Sequence, residues 1–241
     1  MITKKQEQKI LSEAEEFFYD FFQDRANKYD KKNYKDFKIN PFLIRGIAGI
    51  IGDDSDPKNI ASAIAYPFAM GTSLSTSFGS NIQEFVVKTM GDLARGSTTS
   101  GIDIEFTDAI DGRNKYCQLK CGPQTINKDD IKTIVDHFHG VFNLARTNHV
   151  TIDPSDCIVG VVYGSHDDLS TMYTNIEKEG FPVLAGEEFW YHLTGSRTIY
   201  KELISIAQDA SNHSGMKKSV ENLRDKIAKH VEENKDYFGI E

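Results

Sequence analysis

The sequence predicts an α/β fold, with a mixed central sheet flanked by helices and an added N-terminal helical region. Three observations support this prediction. Apolar residues recur at helical spacing through residues 3–29. From residue 100 the pattern changes to alternation, in GIDIEFTDAI and again in NKYCQLK. The run CIVGVVYG at 157–164 is continuously apolar, as in a strand covered on both faces.

The remaining elements follow from spacing and from turn residues. Asn127 is expected to cap a helix over 128–147. The Ser/Thr/Gly-rich run Gly71–Ser80 is predicted to be a loop before a helix over about 81–94. We divide the chain into a helical region, residues 1–75, and a core with C-terminal helices, residues 76–241. Further predictions are helices in 41–70 around a turn at 52–57, a helix at 168–179, a strand at FPVLAG, and helices from Glu187 with a break at 211–215.

Composition limits the class of protein. The 241 residues suffice for one substantial core. The net charge of −8 argues against a protein that coats nucleic acid, but it permits an enzyme with one basic cleft. No run approaches the ~18 apolar residues of a membrane span. The charged N-terminus and three cysteines suggest a cytoplasmic protein with reduced thiols, Cys117, Cys121 and Cys157.

The two alternating segments predict a β-hairpin with Asp111 and Gly112 at its tip. In that register Asp103 lies opposite Lys120, and Glu105 lies opposite Gln118. Directly opposed side chains have Cβ atoms about 5 Å apart. These four polar residues then share one face, whereas the other face is apolar, with Ile104, Phe106, Cys117 and Leu119.

A carboxylate, an amide oxygen and an ammonium side by side are the groups that phosphodiester hydrolysis requires. Oxygen ligands hold Mg²⁺, which lowers the pKa of a bound water. We expect Asp103 to be the principal ligand, helped by the Gln118 side-chain oxygen and the Leu119 main-chain carbonyl. Lys120 would orient the water and stabilise the transition state. The pattern alone equally fits an ordinary hairpin with a solvated, mixed-charge face. The GSTTSG loop that enters Asp103 and the preceding helix with Glu84 favour a site.

GIDIEF followed by YCQLKCGPQTINKDD resembles the active-site region of type II restriction endonucleases of the PD-(D/E)xK superfamily. The group it most resembles cuts interrupted GG…CC palindromes. The resemblance covers most of residues 40–195, through NPFLIRG, TSFGSNIQEFV, HFHGVFNLARTN and GEEFWYHLTG. It implies a restriction-endonuclease-like fold in a prokaryotic protein. It also implies Mg²⁺-dependent cleavage of double-stranded DNA by a homodimer, with 5′-phosphate and 3′-hydroxyl ends. Mn²⁺ would substitute for Mg²⁺.

By motif position, Asp103 matches the family's metal-binding aspartate, Lys120 its lysine, and Glu84 the acidic residue of the preceding helix. Gln118 departs from the usual Asp or Glu, so another carboxylate is needed. The hairpin register favours Glu105, and the family position favours Glu84. Both stay open.

A restriction endonuclease also implies partners. Besides double-stranded DNA, we expect a methyltransferase in the same cell that protects the same site without forming a stable complex. The helical region 1–75 would serve in dimerisation and DNA contacts. Arg113 and Lys115 are weaker candidates for phosphate contacts, and His137 is expected at the surface. The candidate DNA-binding residues are Arg45, Arg95, Ser97, Thr98, Thr99, Asn127 and Lys128.

Two other functions fit the same residues. One is a structure-specific repair or recombination nuclease of the superfamily, which would leave linear duplex intact. The other is a DNA-binding protein that kept the fold and lost its metal chemistry, with Gln118 as the trace.

Overall fold

A computed structural model describes residues 2–240 of the chain. Its helices lie on both sides of one five-stranded sheet and in a separate helical unit. The strands are β1 (Ala94–Gly96), β2 (Ile104–Thr107), β3 (Asn114–Lys120), β4 (Cys157–Val161) and β5 (Val183–Ala185). The helices are α1 (Lys4–Lys31), α2 (Pro41–Ile51), α3 (Pro57–Tyr66), α4 (Leu74–Ser80), α5 (Ile82–Met90), α6 (Lys128–Thr147), α7 (Thr171–Lys178), α8 (Glu187–Thr194), α9 (Ile199–His213) and α10 (Met216–Glu233).

The sheet is mixed, as predicted. Its strands follow chain order, β1 to β5; β1, β2 and β3 pair antiparallel, and β3, β4 and β5 pair parallel. A parallel pair needs a crossover, and α6 and α7 supply the two crossovers. All five residues of β4 are buried, which confirms the central strand that its apolar run indicates.

Helix α6 covers the sheet face that carries the polar hairpin residues. It begins at Lys128, as predicted, because Asn127 and Asp130 form a capping box. Its buried stripe packs with Val159 and Val161 of β4 in one apolar cluster. The helix thus lies directly over the second hairpin strand and its parallel neighbour.

The hairpin is confirmed, but its predicted register is wrong by two residues. Ile104 pairs with Cys117, and Glu105 pairs with Tyr116 rather than Gln118. The connection is a longer loop, closed by a hydrogen bond from the Asp108 N–H to the Arg113 carbonyl. A two-residue shift preserves the side-chain faces because the strand period is two. The pairing of Asp103 with Lys120 is therefore lost, although their common face is kept.

Two local predictions are also wrong. The predicted loop Gly71–Ser80 is helical, formed by a π-helix, Pro67–Ser73, and then α4. Tertiary contacts override the weak helix propensity of Ser, Thr and Gly; for example, Phe78 packs against Phe85 with ring centroids 5.7 Å apart. The helix predicted over 81–94 ends at Met90, and β1 follows it.

The chain forms two compact units. The first holds residues 78–206, with the sheet, and the start of α1 up to Phe17. The second holds residues 18–77 and the chain from Ala207 onward. It has its own core, in which α3 packs on α10 through residues such as Ile60 and Leu223. The division into domains at residues 75 and 76 stays a prediction, although one junction between the units lies beside it. Within residues 2–240 no helix has the length and apolarity to cross a membrane.

Candidate active site

Asp103 lies just before β2 and extends the pairing of the hairpin by one step. Its N–H donates to the Cys117 carbonyl (3.0 Å), and its carboxylate oxygen Oδ2 accepts from the Leu119 N–H (2.7 Å). The Asp103 side chain therefore accepts the hydrogen bond that a main-chain carbonyl of the neighbouring strand would otherwise accept from β3. This contact fixes the carboxylate beside the last residues of that strand.

The same contact orients the Leu119 carbonyl. The N–H and C=O of one strand residue point to the same side of the strand. The Leu119 N–H faces Asp103, so its carbonyl faces the same edge. The Lys120 carbonyl points the other way and accepts from the Val162 N–H (3.0 Å). A carboxylate and a main-chain oxygen are thereby brought together.

The charges around Asp103 oppose the effect of its burial. Burial raises the pKa of Asp103 above its ordinary value, while the Leu119 N–H, the positive charge of Lys120 and the nearby His137 ring act to lower it. Lys120 is half-buried on the same face. A cation bound at the carboxylate would favour its ionised form in the same way.

Gln118 is buried on the face that α6 covers. Its amide nitrogen Nε2 donates to the Ile134 carbonyl of α6 (3.3 Å). The nitrogen is therefore directed at the helix, and a metal would be bound through the amide oxygen. A glutamate at position 118 would have no N–H group to donate to the Ile134 carbonyl.

The two candidate carboxylates have different surroundings. Glu105 is buried, and its two oxygens accept from the Arg95 guanidinium (2.7 Å) and the Ser97 hydroxyl (2.7 Å). Glu84 is exposed in the first turn of α5. The neighbouring Gln83 donates its amide N–H to the Asp103 main-chain carbonyl (2.7 Å), which places this helix turn beside the site.

The predicted DNA-binding residues fall into three places. Arg95, Ser97, Thr98 and Thr99 lie on β1 and the loop after it, where Ser97 also accepts from the Thr99 N–H. Asn127 and Lys128 are exposed at the start of α6, and the Asn127 oxygen caps the helix. Arg45 lies in the second unit, where it binds the Asp54 carboxylate and the Gly239 carbonyl.

His137 has a place that sequence reasoning missed. It lies one turn after Ile134 and is half-buried, not a surface residue. Gly101 (φ +78°) packs so closely on the imidazole that a Cβ at this glycine would lie 2.1 Å from its Cγ. The His137 Nδ1 atom is buried, and the described residues offer it no hydrogen-bond partner. The sequence feature that could have indicated this close contact is the pair of glycines, Gly96 and Gly101, on either side of the Ser/Thr loop before Asp103.

A second charged cluster lies at the opposite end of the hairpin. Lys115 is buried there, within 2.5 Å of Asp111 and 3.6 Å of Asp156, so it cannot contact phosphate. Arg113 forms a two-pronged ion pair with the buried Asp156 carboxylate. The His192 ring nitrogen Nδ1 lies 2.7 Å from Asp108. These residues join the hairpin tip to the elements around it.

The donors at Asp103 fit a hard cation. The described residues contain no group of three His, Cys, Asp or Glu side chains that could hold a metal ion. A site there would therefore combine at most two carboxylates with main-chain and amide oxygens and with water. Such a set suits Mg²⁺, which keeps several of its waters, better than zinc, which takes nitrogen and sulfur ligands.

A family model described as "Type II restriction endonuclease EcoO109I" matches residues 8–214. The chain belongs to this restriction endonuclease family. The matched range includes the sheet and every residue of the site around Asp103. Family membership confirms the resemblance to type II restriction endonucleases and with it an endonuclease that acts on DNA. No curated protein matches the chain.

Proposed function

We propose that the protein cuts both strands of a specific palindrome in double-stranded DNA, as a homodimer that depends on Mg²⁺. The observation that carries the proposal is the contact of the Asp103 carboxylate with the Leu119 N–H, next to Lys120, in a restriction endonuclease. Bound Mg²⁺ would supply a water of lowered pKa and neutralise charge on the phosphate. The products would carry 5′-phosphate and 3′-hydroxyl ends, and Mn²⁺ would substitute.

The chain's own groups hold and position the reactants. Asp103 and the Leu119 carbonyl would bind the cation, with the Gln118 amide oxygen as a neutral third ligand. The Lys120 ammonium would hold the attacking water and stabilise charge on the phosphate in the transition state. This donor set belongs to the PD-(D/E)xK type, with glutamine in place of the second acid.

Glu84 is the better candidate for the missing carboxylate. The two oxygens of Glu105 already accept from Arg95 and Ser97. Recruiting Glu105 would break a half-buried ion pair, whereas Glu84 is exposed beside the helix turn that contacts Asp103. We therefore assign Glu84 to the metal, through a bound water or directly, and Glu105 to the support of β1.

The recognition sequence and the partner enzyme follow from the group that the sequence resembles. We propose an interrupted GG…CC palindrome, and a methyltransferase in the same cell that modifies it. Arg95, Ser97, Thr98, Thr99, Asn127 and Lys128 would contact DNA beside the site, and Arg45 remains a candidate on the second unit.

Cleavage of a plasmid of known sequence tests the proposal. We expect a few fixed fragments in Mg²⁺ whose ends, once sequenced, share one palindrome. Asp103→Asn and Lys120→Met should each lower the cleavage rate at least a hundredfold and leave DNA binding in EDTA within threefold. Cleavage by Asp103→Asn at the wild-type rate would show that the site is misassigned. Intact linear duplex with cut branched substrates would indicate a structure-specific nuclease instead.

A paired substitution separates the two carboxylates. Glu84→Gln should raise the Mg²⁺ concentration needed for half-maximal cleavage about tenfold. Glu105→Gln should lower the melting temperature while leaving that concentration nearly unchanged. The reverse result would assign the metal to Glu105.

Gln118 favours one rival function, a protein that binds DNA without cutting it. Its neutral amide lacks the charge of the usual acid, and its nitrogen is directed at Ile134. Specific DNA binding with no nicking in Mg²⁺ or Mn²⁺ would support that rival.

A further inference from the structure

Helix α2 presents a broad apolar surface to solvent. Its inner side, with Ile44 and Ala48, packs in the core of the second unit. The other half of the helix consists of apolar residues that none of residues 2–240 covers. We call it the α2 face; its large side chains and exposed fractions are Phe42 94%, Leu43 60%, Ile47 43%, Ile50 86% and Ile51 50%.

The α2 face carries no charge. Arg45 is the one charged residue in α2, and it is held by Asp54 and the Gly239 carbonyl. A phosphate backbone requires basic or hydrogen-bonding partners, so DNA does not fit this face. An apolar protein surface does, because contiguous exposed apolar patches mark interaction sites.

Gly46 lies in the middle of the α2 face. A Cβ built on it meets no atom of the described residues within 4 Å, so no contact among them requires a glycine there. Glycine in a helix interior is destabilising relative to alanine. Its use is explained if the backbone of another element packs closely against the helix at this position.

We propose that two copies of the chain associate through the α2 face, with α2 of one copy packed on α2 of the other. A two-fold interface must be complementary to itself, and an uncharged apolar face meets that condition without repulsion. Its five side chains expose on the order of 500 Å², near the ~800 Å² per partner of a standard interface once its rim is added. The choice of a second copy rests partly on the proposed function, because cutting both strands of a palindrome needs two sites.

The molar mass of the full-length protein tests this, measured by sedimentation equilibrium without DNA or metal. We expect the wild type to be a dimer and Phe42→Glu/Ile50→Glu to be a monomer, with the dimer Kd raised at least a hundredfold. The matched control, Leu144→Glu/Ile204→Glu, changes two exposed apolar residues elsewhere and should remain dimeric. A monomeric wild type, or a variant that dimerises like the wild type, would overturn the proposal.

Substitution of Gly46 gives a test that does not risk the fold. Leucine is a better helix former than glycine, and no atom in the described part of the chain lies near the position. Gly46→Leu should therefore keep or raise the subunit's melting temperature while it weakens the dimer at least tenfold. An unchanged dimer Kd in this variant would exclude close α2 contact.

The two proposals fail separately, because the mass measurement involves no cleavage. A wild-type dimer that cuts no DNA would count against the proposed function alone. A protein that cuts DNA and dimerises equally well in every α2 variant would count against the α2 face alone.

Discussion

At the residue scale, one hydrogen bond fixes the position of the Asp103 carboxylate, the group on which the proposed chemistry depends. This carboxylate ends the hairpin pairing by accepting from the Leu119 N–H, and we propose that the same group binds the cation. Asparagine at this position removes the charge and keeps the size of the side chain, but it replaces one acceptor oxygen with an NH₂ group. The loss of cleavage expected for Asp103→Asn is therefore a loss of metal binding more than of fold.

Gln118 gives a prediction in which stability and metal affinity oppose each other. Gln118→Glu removes the donor to the Ile134 carbonyl and buries a second carboxylate. In EDTA we expect a loss of about 1–3 kcal/mol in the free energy of unfolding. Adding Mg²⁺ should recover part of it, because metal bound only to the folded state stabilises it.

Thermal melts in EDTA and in Mg²⁺ measure both effects. Gln118→Met is the matched control, since it loses the donor without adding charge and should show no gain from Mg²⁺ beyond the wild type's. Equal Mg²⁺ responses in the two variants would mean that residue 118 is not a ligand.

Gly101 provides a second prediction at this scale. Any side chain at Gly101 must displace the His137 ring and distort the loop that enters Asp103. We expect Gly101→Ala to cost about 1–3 kcal/mol, from overpacking and from the positive φ. Gly112, which also has positive φ but open space around it, is the control: Gly112→Ala should cost less. Urea unfolding compares the two variants, and equal losses would contradict the contact.

At the element scale, the hairpin shows what a pattern can and cannot predict. Alternation gives the two strands and their faces, because it follows directly from the pleat. It does not give the register, which depends on loop geometry. Here Asp108 accepts from the Ile110 N–H within the loop, and it also contacts His192, a residue far away in the chain. The dipeptide Asp111–Gly112 was therefore misleading as a tight turn.

Asp156 allows a prediction on pH. The hydrogen bonds of Arg113 hold the pKa of Asp156 below its ordinary value. A lowered pKa means that the ionised pair adds stability above about pH 4 and that this stability is lost as pH falls through the folded-state pKa. Asp156→Asn should thus cost about 2 kcal/mol at pH 7 and progressively less in acid.

Urea unfolding from pH 7 to pH 3 measures this difference. Asp153→Asn is the comparison, since that residue is exposed and caps only a short turn. A gap between wild type and Asp156→Asn that stays constant with pH would contradict the role of the ion pair.

At the scale of the whole molecule, the order of elements was largely predictable and the pairing of distant segments was not. The start of α6 and the buried strand β4 follow from local signals: a capping residue and an apolar run. The strand β1 has only three residues, too few for a pattern. The roles of Gln83 and His137 depend on how α5 and α6 pack beside Asp103, which no local spacing reveals.

The assembly makes a prediction about products. If each copy cuts one strand, a variant that cannot dimerise should nick without breaking the duplex. At nanomolar protein, Phe42→Glu/Ile50→Glu should convert supercoiled plasmid to open circles, which accumulate, whereas the wild type gives linear DNA. Agarose gels over time distinguish the two products. Linear DNA formed by the monomeric variant without an open-circle stage would contradict one cut per copy.

The hydrogen bond between Gln118 and the Ile134 carbonyl connects α6 to the strand that carries the candidate site. The same helix begins at Asn127 and Lys128, the expected DNA contacts, and carries His137 beside Asp103. At ~1.5 Å per residue, about 14 Å of stiff helix separates Lys128 from His137. If the first turn of α6 shifts when the correct sequence binds, the shift would also change the positions of Gln118 and of His137 beside Asp103. Recognition of the bases and positioning of the cleavage site would then occur in one movement of the helix.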